Sequence, residues 1–211
     1  MREGEALRLL RLHRPERIAR RAGFRLLGGI DEVGRGPLAG PVVAACVISS
    51  RPLLLPYLND SKRVTPARRE TLATHIRERA EAIGIGAATP AEIDELNILQ
   101  ATYLAMRRAL EAAGTKPDYL LLDAVTLDGL ECPQQAIIKG DALCAIIAAA
   151  SIIAKVHRDA LLQAMDVEDP RYGYAVHKGY PTPAHLAALA TYGPSPHHRM
   201  SFAPVRRAQH A

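Results

Sequence analysis

Apolar runs and turns alternate along most of the chain. Leu26-Leu27-Gly28-Gly29-Ile30 leads into Asp31-Glu32, and after a glycine-rich stretch Val42 to Ile48 forms a second apolar run with Ala as its only good helix former. Strand, turn, strand is the reading. Ile83 to Ala88, Tyr119 to Asp123 and Gln135 to Lys139 are further strand patterns. Tyr119-Leu120-Leu121-Leu122-Asp123 is continuously apolar until its last residue, as expected of a strand covered on both faces. Helical spacing fills the intervals. Thr65-Pro66 is an N-cap and N1 pair for a helix running to about Glu81, with Leu72, Ile76 and Ala80 on one face. Thr89-Pro90 opens a helix from Ala91 to about Ala113, where Ile93, Leu96, Leu99, Tyr103, Met106 and Leu110 step by three and four. Ala142 to about Met165 is small and apolar nearly all round, which predicts a core helix. Thr182-Pro183 starts another, through Leu186 and Leu189 to Tyr192. Residues 1–25 show Leu7, Leu10 and Ile18 in a rhythm that Pro15 divides into two short helices, and residues 166–181 read as a Pro/Gly/Tyr loop.

A chain of 211 residues suits one large domain, or one with a small appendage. A single domain over 1–211 is expected, with a basic helical flank at 1–25 and a C-terminal appendage from about 166. No apolar run approaches the roughly 18 residues of a membrane helix, and no charged-apolar-small leader is evident. A cytoplasmic monomer is the expectation. Cys46, Cys132 and Cys144 are widely spaced without C-x-x-C, so neither a disulfide frame nor a zinc site is indicated. Lys and Arg number 27 against 22 Asp and Glu, and the pI is near 9.3. That balance favours a polyanionic partner. With 4% aromatics and no Trp, broad base-stacking recognition of single strands is poorly supported.

The chemistry sits in acids at strand ends: Asp31 with Glu32, Asp123, and Asp141. Asp31 continues an apolar strand, and a carboxylate there must be paired, hydrogen-bonded or bound to metal. Two simpler readings exist for the first block. One is a solvated surface hairpin. The other is a dinucleotide fingerprint, since Gly34, Gly36 and Ala39 fit G-x-G-x-x-A; but Pro37 and Pro41 and a following strand replace the helix it needs. Four carboxylates in one place cannot all stay ionised without cations. Oxygen-only donors suit Mg²⁺ or Mn²⁺, and two such ions about 4 Å apart can hydrolyse a phosphodiester. Neighbours in a strand point to opposite faces, so Asp31 and Glu32 share a centre only if the strand breaks between them or Glu32 reaches round. Lys62, before the 66–81 helix, could hold a phosphate. His177, His197 and His198 read as surface residues.

These residues carry a resemblance to a known family. Gly29-Ile30-Asp31-Glu32-Val33-Gly34-Arg35-Gly36-Pro37-Leu38-Ala39-Gly40-Pro41-Val42, Asp60-Ser61-Lys62, Leu122-Asp123, Lys139-Gly140-Asp141-Ala142, Ala148 to Val156, His177-Lys178-Gly179-Tyr180-Pro181 and Tyr192-Gly193-Pro194-Ser195 resemble the bacterial ribonucleases HII, type 2 ribonucleases H. The resemblance implies an α/β, RNase H-like fold with a mixed central sheet, flanking helices and a helical C-terminal appendage. It implies cutting of RNA in RNA–DNA hybrids, and on the 5′ side of single ribonucleotides in duplex DNA, leaving 3′-hydroxyl and 5′-phosphate ends. It also implies that Asp31, Glu32, Asp123 and Asp141 ligate Mg²⁺ or Mn²⁺. The Gly34-Arg35-Gly36 backbone would meet the ribose 2′-OH, which separates RNA from DNA; Tyr180 would join it, and Lys62 would hold a phosphate. The basic tail is a place for a replication-clamp contact, although no motif decides it.

The chain departs from the family just after Asp141. Cys144 and Ile146 stand where the family usually has serines, so any contact those hydroxyls made to Asp141 or a phosphate would be lost. Two rivals remain: a DNA-only nuclease or recombinase of the same fold, and a non-catalytic nucleic-acid binder. The first needs no 2′-OH reader, and the second gains nothing from acids facing phosphates.

Overall fold

A computed structural model describes residues 3–209 of the chain. β1 (Leu27–Val33) and β2 (Val42–Ser49) form the expected antiparallel hairpin, and β3 (Ala82–Ala88) extends it antiparallel to β2. β4 (Tyr119–Asp123) and β5 (Gln134–Ile137) add on the other side of β1, both parallel to it. The order β3-β2-β1-β4-β5 makes a mixed sheet with β1 at its centre.

Side chains of period two divide between two cores. Leu27, Ala45, Val47 and Leu121 pack in one cluster with the helix α7 (Ala145–Glu168) and with α3 (Pro66–Arg79). Ile30, Ala44, Cys46, Ile48, Leu120 and Leu122 pack in the other with α5 (Ile98–Ala112). Both faces are thus covered, which is why β2 and the Leu120–Leu122 run carry no polar alternation. Burial of each large apolar side chain contributes about 2 kcal/mol. The small residues of α7 let it lie close on β1: a Cβ on Gly29 would collide with the carbonyl of Ile146.

Two helices that the periodicity reads as continuous are each broken. The 91–113 pattern is α4 (Pro90–Leu96) followed by α5. Asn97 between them has φ 71°, and its side chain accepts from the N–H groups of Leu99 and Gln100 at 3.0 and 3.2 Å, capping the second helix. An Asx cap starts a new helix without disturbing the apolar spacing. The 142–165 pattern is α6 (Gly140–Leu143) and then α7, with Cys144 extended between them. The cap comes from far away in sequence. Glu16, 2% exposed, accepts the Ile146 N–H at 2.8 Å on one carboxylate oxygen and faces His13 Nδ1 at 3.2 Å with the other. Glu16 lies in α2 (Arg14–Arg21), which follows α1 (Glu3–Leu12); the break between them falls at His13, and Pro15 sits in the first turn of α2. The basic flank is therefore docked on the start of α7.

The C-terminal part is α8 (Tyr174–His177), α9 (Pro183–Tyr192) and α10 (Ala203–Ala208). The 166–181 stretch thus contains a short helix rather than loop alone. Among the described residues no helix is long and apolar enough to cross a membrane. Cys46 and Cys144 are buried free thiols, and Cys132 is half-buried.

Candidate active site

The parallel register of β1 and β4 ends with Ile30 opposite Leu122. Asp31 and Asp123 are the next residue on each strand, so they come side by side where the pairing stops. Both follow the side-chain alternation towards α7. β1 does not break between its two acids: it continues to Val33, paired with β2 throughout. Glu32 therefore starts on the opposite face from Asp31, and the strand ends only after Val33, two residues later than the first of the two arrangements considered requires. Glu32 instead reaches the same charge neighbourhood from its own face, with Arg35 Nη1 at 3.4 Å.

Asp123 is fixed by the N–H of Gly140, which donates to Oδ1 at 2.7 Å. Asp141 follows at once in α6. Two non-glycine residues in the left-handed region flank these acids, Ala124 at φ 56° and Lys139 at φ 59°. Such strain collects at functional sites. Asp123 and Asp141 line an open cleft of about 580 Å³ together with Asp60, Lys62, Arg63 and Lys139. A separate cleft of about 650 Å³ between Arg107, Pro117 and Pro133 lies beyond the starts of β4 and β5 and holds none of the four acids.

The electrostatics bind the acids into one group. Burial, then Glu32, and further Asp123 and Asp141, hold the Asp31 carboxyl well above the usual carboxylate range; the Ser151 hydroxyl of α7 opposes this. Burial chiefly pushes Glu32 up, with Arg35 opposing and Asp123 adding to the shift. Burial, Asp60 and Asp123 raise Asp141, and Lys62 offsets part of it. Asp60, which ends no strand, lines the cleft beside Asp141. Among the described residues, no three Asp, Glu, His or Cys side chains stand together so as to enclose an ion by themselves. The donor set is nevertheless all carboxylate oxygen, with its members raising one another's carboxyls. That fits a hard cation held by one or two carboxylates with water and phosphate oxygens completing the shell, the usual arrangement for Mg²⁺.

Gly34-Arg35-Gly36 lies directly after β1. Gly34 has φ 96°, and a Cβ there would collide with the Arg158 guanidinium. Arg35 and Gly36 are exposed. Tyr180, 40% exposed, lies against this turn: a Cβ on Gly36 would stand 3.7 Å from its ring. Leu38 N–H donates to Gly179 O at 2.8 Å, joining the two loops. Lys62 is exposed in a single 3-10 turn, Ser61–Arg63, whose Asp60 cap accepts its N–H at 2.9 Å.

The sequence reading missed the supports of this corner. Arg158 of α7 and Arg199 are fully buried, and His198, read as a surface residue, is 1% exposed. His198 Nδ1 accepts from Ser195 N–H at 2.9 Å; its Nε2 is 3.1 Å from His185 Nε2, and His185 Nδ1 is 2.9 Å from Tyr180 O. One directed chain of neutral rings satisfies all three contacts, with each ring donating towards Tyr180. Arg158 falls in the polar stretch Lys155 to Asp159 of α7, so nothing in the local pattern singles it out, and nothing marks Arg199. Cys144 and Ile146 are both buried, 0% and 1% exposed. Neither faces the cleft, so their departure from the family concerns the start of α7 and not a phosphate.

The sequence model of the family Ribonuclease HII matches residues 28–205. The chain belongs to the ribonuclease HII family. It is 55% identical over 197 residues to the ribonuclease HII of Geobacillus thermodenitrificans, covering 93% of this chain and 76% of that one. Among solved structures it is similar to the ribonuclease H2 of Pyrococcus horikoshii, with TM-score 0.72, 27% identity, and coverage of 88% of this chain and 97% of that one. It is also similar to the RNase HII of Archaeoglobus fulgidus solved in a complex with PCNA, with TM-score 0.69, 26% identity, and coverage of 84% and 95%. The fold is RNase H-like, as the resemblance implied. As a ribonuclease HII the chain is an endoribonuclease acting on RNA–DNA hybrids, and the family depends on divalent metal.

Proposed function

We propose that Asp31, Glu32, Asp123 and Asp141 form the hydrolytic centre, holding Mg²⁺ or Mn²⁺ as two ions in the working complex. The convergence of the β1 and β4 ends on mutually repelling carboxylates supports this reading best. When bound, the ions supply Lewis-acid polarisation of the phosphodiester and a nucleophilic water at neutral pH. The carboxylates fix where that charge sits. Gly140 N–H holds Asp123 in place, and Arg35 restrains Glu32. Lys62 and its turn hold a flanking phosphate. The backbone of Gly34-Arg35-Gly36 meets the 2′-OH, and Tyr180 packs on the next sugar.

Water adds to phosphorus on the 5′ side of the ribonucleotide. The bond to the upstream 3′-oxygen breaks, and that oxygen takes up a proton. The products are a 3′-hydroxyl and a 5′-phosphate. Single ribonucleotides in duplex DNA are cut this way as well as hybrids, and the chain works as one catalytic domain and as a cytoplasmic monomer. The Archaeoglobus relative was solved with PCNA; a clamp contact through the C-terminal segment is the matching proposal here.

A duplex with one embedded ribonucleotide tests the reading on a gel. One cut 5′ of the ribonucleotide is expected with Mg²⁺ or Mn²⁺ and none with EDTA. Cutting in EDTA, or equal cutting of the all-DNA duplex, would overturn it. Tyr180→Ala should slow single-ribonucleotide cleavage more than hybrid cleavage; equal losses would remove its role.

A further inference from the structure

Arg158 and Arg199 are both 0% exposed. Among the described residues neither forms an ion pair. A buried charge without a partner is costly unless its donors are satisfied. Every hydrogen bond the two side chains make goes to a backbone carbonyl, and each guanidinium nitrogen makes at least one. Arg199 Nη2 donates to Gly34 O at 2.6 Å and to Gly40 O at 2.8 Å, Nη1 to Arg35 O at 2.9 Å, and Nε to Gly40 O at 3.0 Å. Arg158 Nε donates to Pro41 O at 3.0 Å, Nη2 to Ala39 O at 3.1 Å, and Nη1 to Lys178 O at 3.0 Å. Five of these six carbonyls belong to the turn after β1. The sixth is in the loop that carries Tyr180.

A trans peptide is planar, with its C=O and N–H pointing opposite ways. With the Gly34 carbonyl drawn onto Arg199, the Arg35 N–H points away from that guanidinium. The Arg35 carbonyl fixes the Gly36 N–H in the same manner. Neither N–H has a partner among the described residues, and both residues are exposed.

We propose that Arg199 and Arg158 are positioning residues for ribose recognition. Arg199 sets two peptide planes so that the Arg35 and Gly36 N–H groups face outward as donors to a sugar 2′-oxygen. Arg158 ties that turn to the Tyr180 loop through Lys178. The inference rests on the reading that Gly34-Arg35-Gly36 meets the 2′-OH, and adds what gives the turn its shape.

The test uses Arg199→Lys, which keeps the charge but lacks the planar fork that spans separate carbonyls. It is made in an Asp141→Asn chain so that substrate survives. Affinity is measured for a duplex with one ribonucleotide and for the same duplex in DNA. The parent should prefer the ribonucleotide, and Arg199→Lys should reduce that preference at least tenfold while affinity for DNA changes less than threefold. A folded Arg199→Lys chain that keeps the preference would overturn the positioning role. A parent with no preference would instead overturn the reader itself, and the inference with it. Should Arg199→Lys not fold, amide exchange in the Asp141→Asn chain carries the test. The Arg35 and Gly36 amides should exchange freely alone and be protected by the ribonucleotide duplex but not by DNA. Protection in the free protein would show the N–H groups turned inward and would overturn the proposal.

Discussion

The two halves of the site, both at the end of β1, are built on opposite principles. At the acid group, like charges are gathered with only partial compensation from Arg35 and Lys62, and three carboxyls are pushed up by burial and by neighbouring carboxylates. At the turn after Val33, two buried cations direct all seven of their hydrogen bonds to backbone carbonyls, and every guanidinium nitrogen makes at least one. Burial pulls Arg158 down to about 10 and Arg199 to about 9, leaving both charged at neutral pH. The first half awaits ligands to complete it. The second is finished before any ligand arrives. In this account, recognition geometry is stored in the fold, while catalytic charge is supplied with the cations and substrate.

Substitutions that separate these halves should differ in kind. Asp31→Asn is expected to lower cleavage about a hundredfold to a thousandfold, the scale of losing one preorganised electrostatic group, with duplex binding largely kept. The same change should stabilise the metal-free protein by about 1 kcal/mol. The sign follows from linkage: a carboxyl whose folded pKa is raised favours folding when protonated, and that stability is lost as pH rises above 3.8 through the folded value. Urea unfolding at pH 7 checks it, and a less stable Asp31→Asn chain would contradict it. Gly34→Ala acts on the other half. It meets both a φ of 96° and the Arg158 guanidinium, so a loss of about 2–4 kcal/mol is expected in the same assay.

Smaller effects refine the contrast. Burial holds His198 down to about 4, with His185 adding to the shift, and His185 is lowered too. The unfolded chain binds protons near pH 6.5 that the folded pair refuses. The stability from neutral rings is thus complete above pH 6.5 and is lost as pH falls towards 4. A His198 ring titration by NMR should show a midpoint well below 6.5; an ordinary midpoint would contradict the buried chain. Smallest is Cys144→Ser. A hydroxyl at this N-cap should stabilise by about 0.5–1 kcal/mol, read as a shift in the urea midpoint.

Much of the architecture was legible because it is local. The β1–β2 hairpin shows in two apolar runs about a glycine-rich turn, the two-faced β4 in a continuous apolar run ending at Asp123, and the core helix α7 in a long stretch of small apolar residues. The breaks at Asn97 and Cys144 were not, because neither interrupts the apolar spacing, and the second is capped by Glu16 from 130 residues away. The acids could be read from their places at strand ends. Their convergence could not, since it depends on β4 pairing beside β1. Arg199 was hidden for the same reason: it meets Gly34 across 165 positions.

Titration of Mn²⁺ into the protein, alone and with a single-ribonucleotide duplex, tests the central claim most directly. Asp141→Asn serves as the non-cleaving chain, and an Asp31→Asn, Asp141→Asn chain as the control. Binding to the free protein should be weak, binding with the duplex at least tenfold tighter, and that gain lost in the control. Mn²⁺ affinity indifferent to the duplex, or unchanged when Asp31 is neutralised, would contradict the claim.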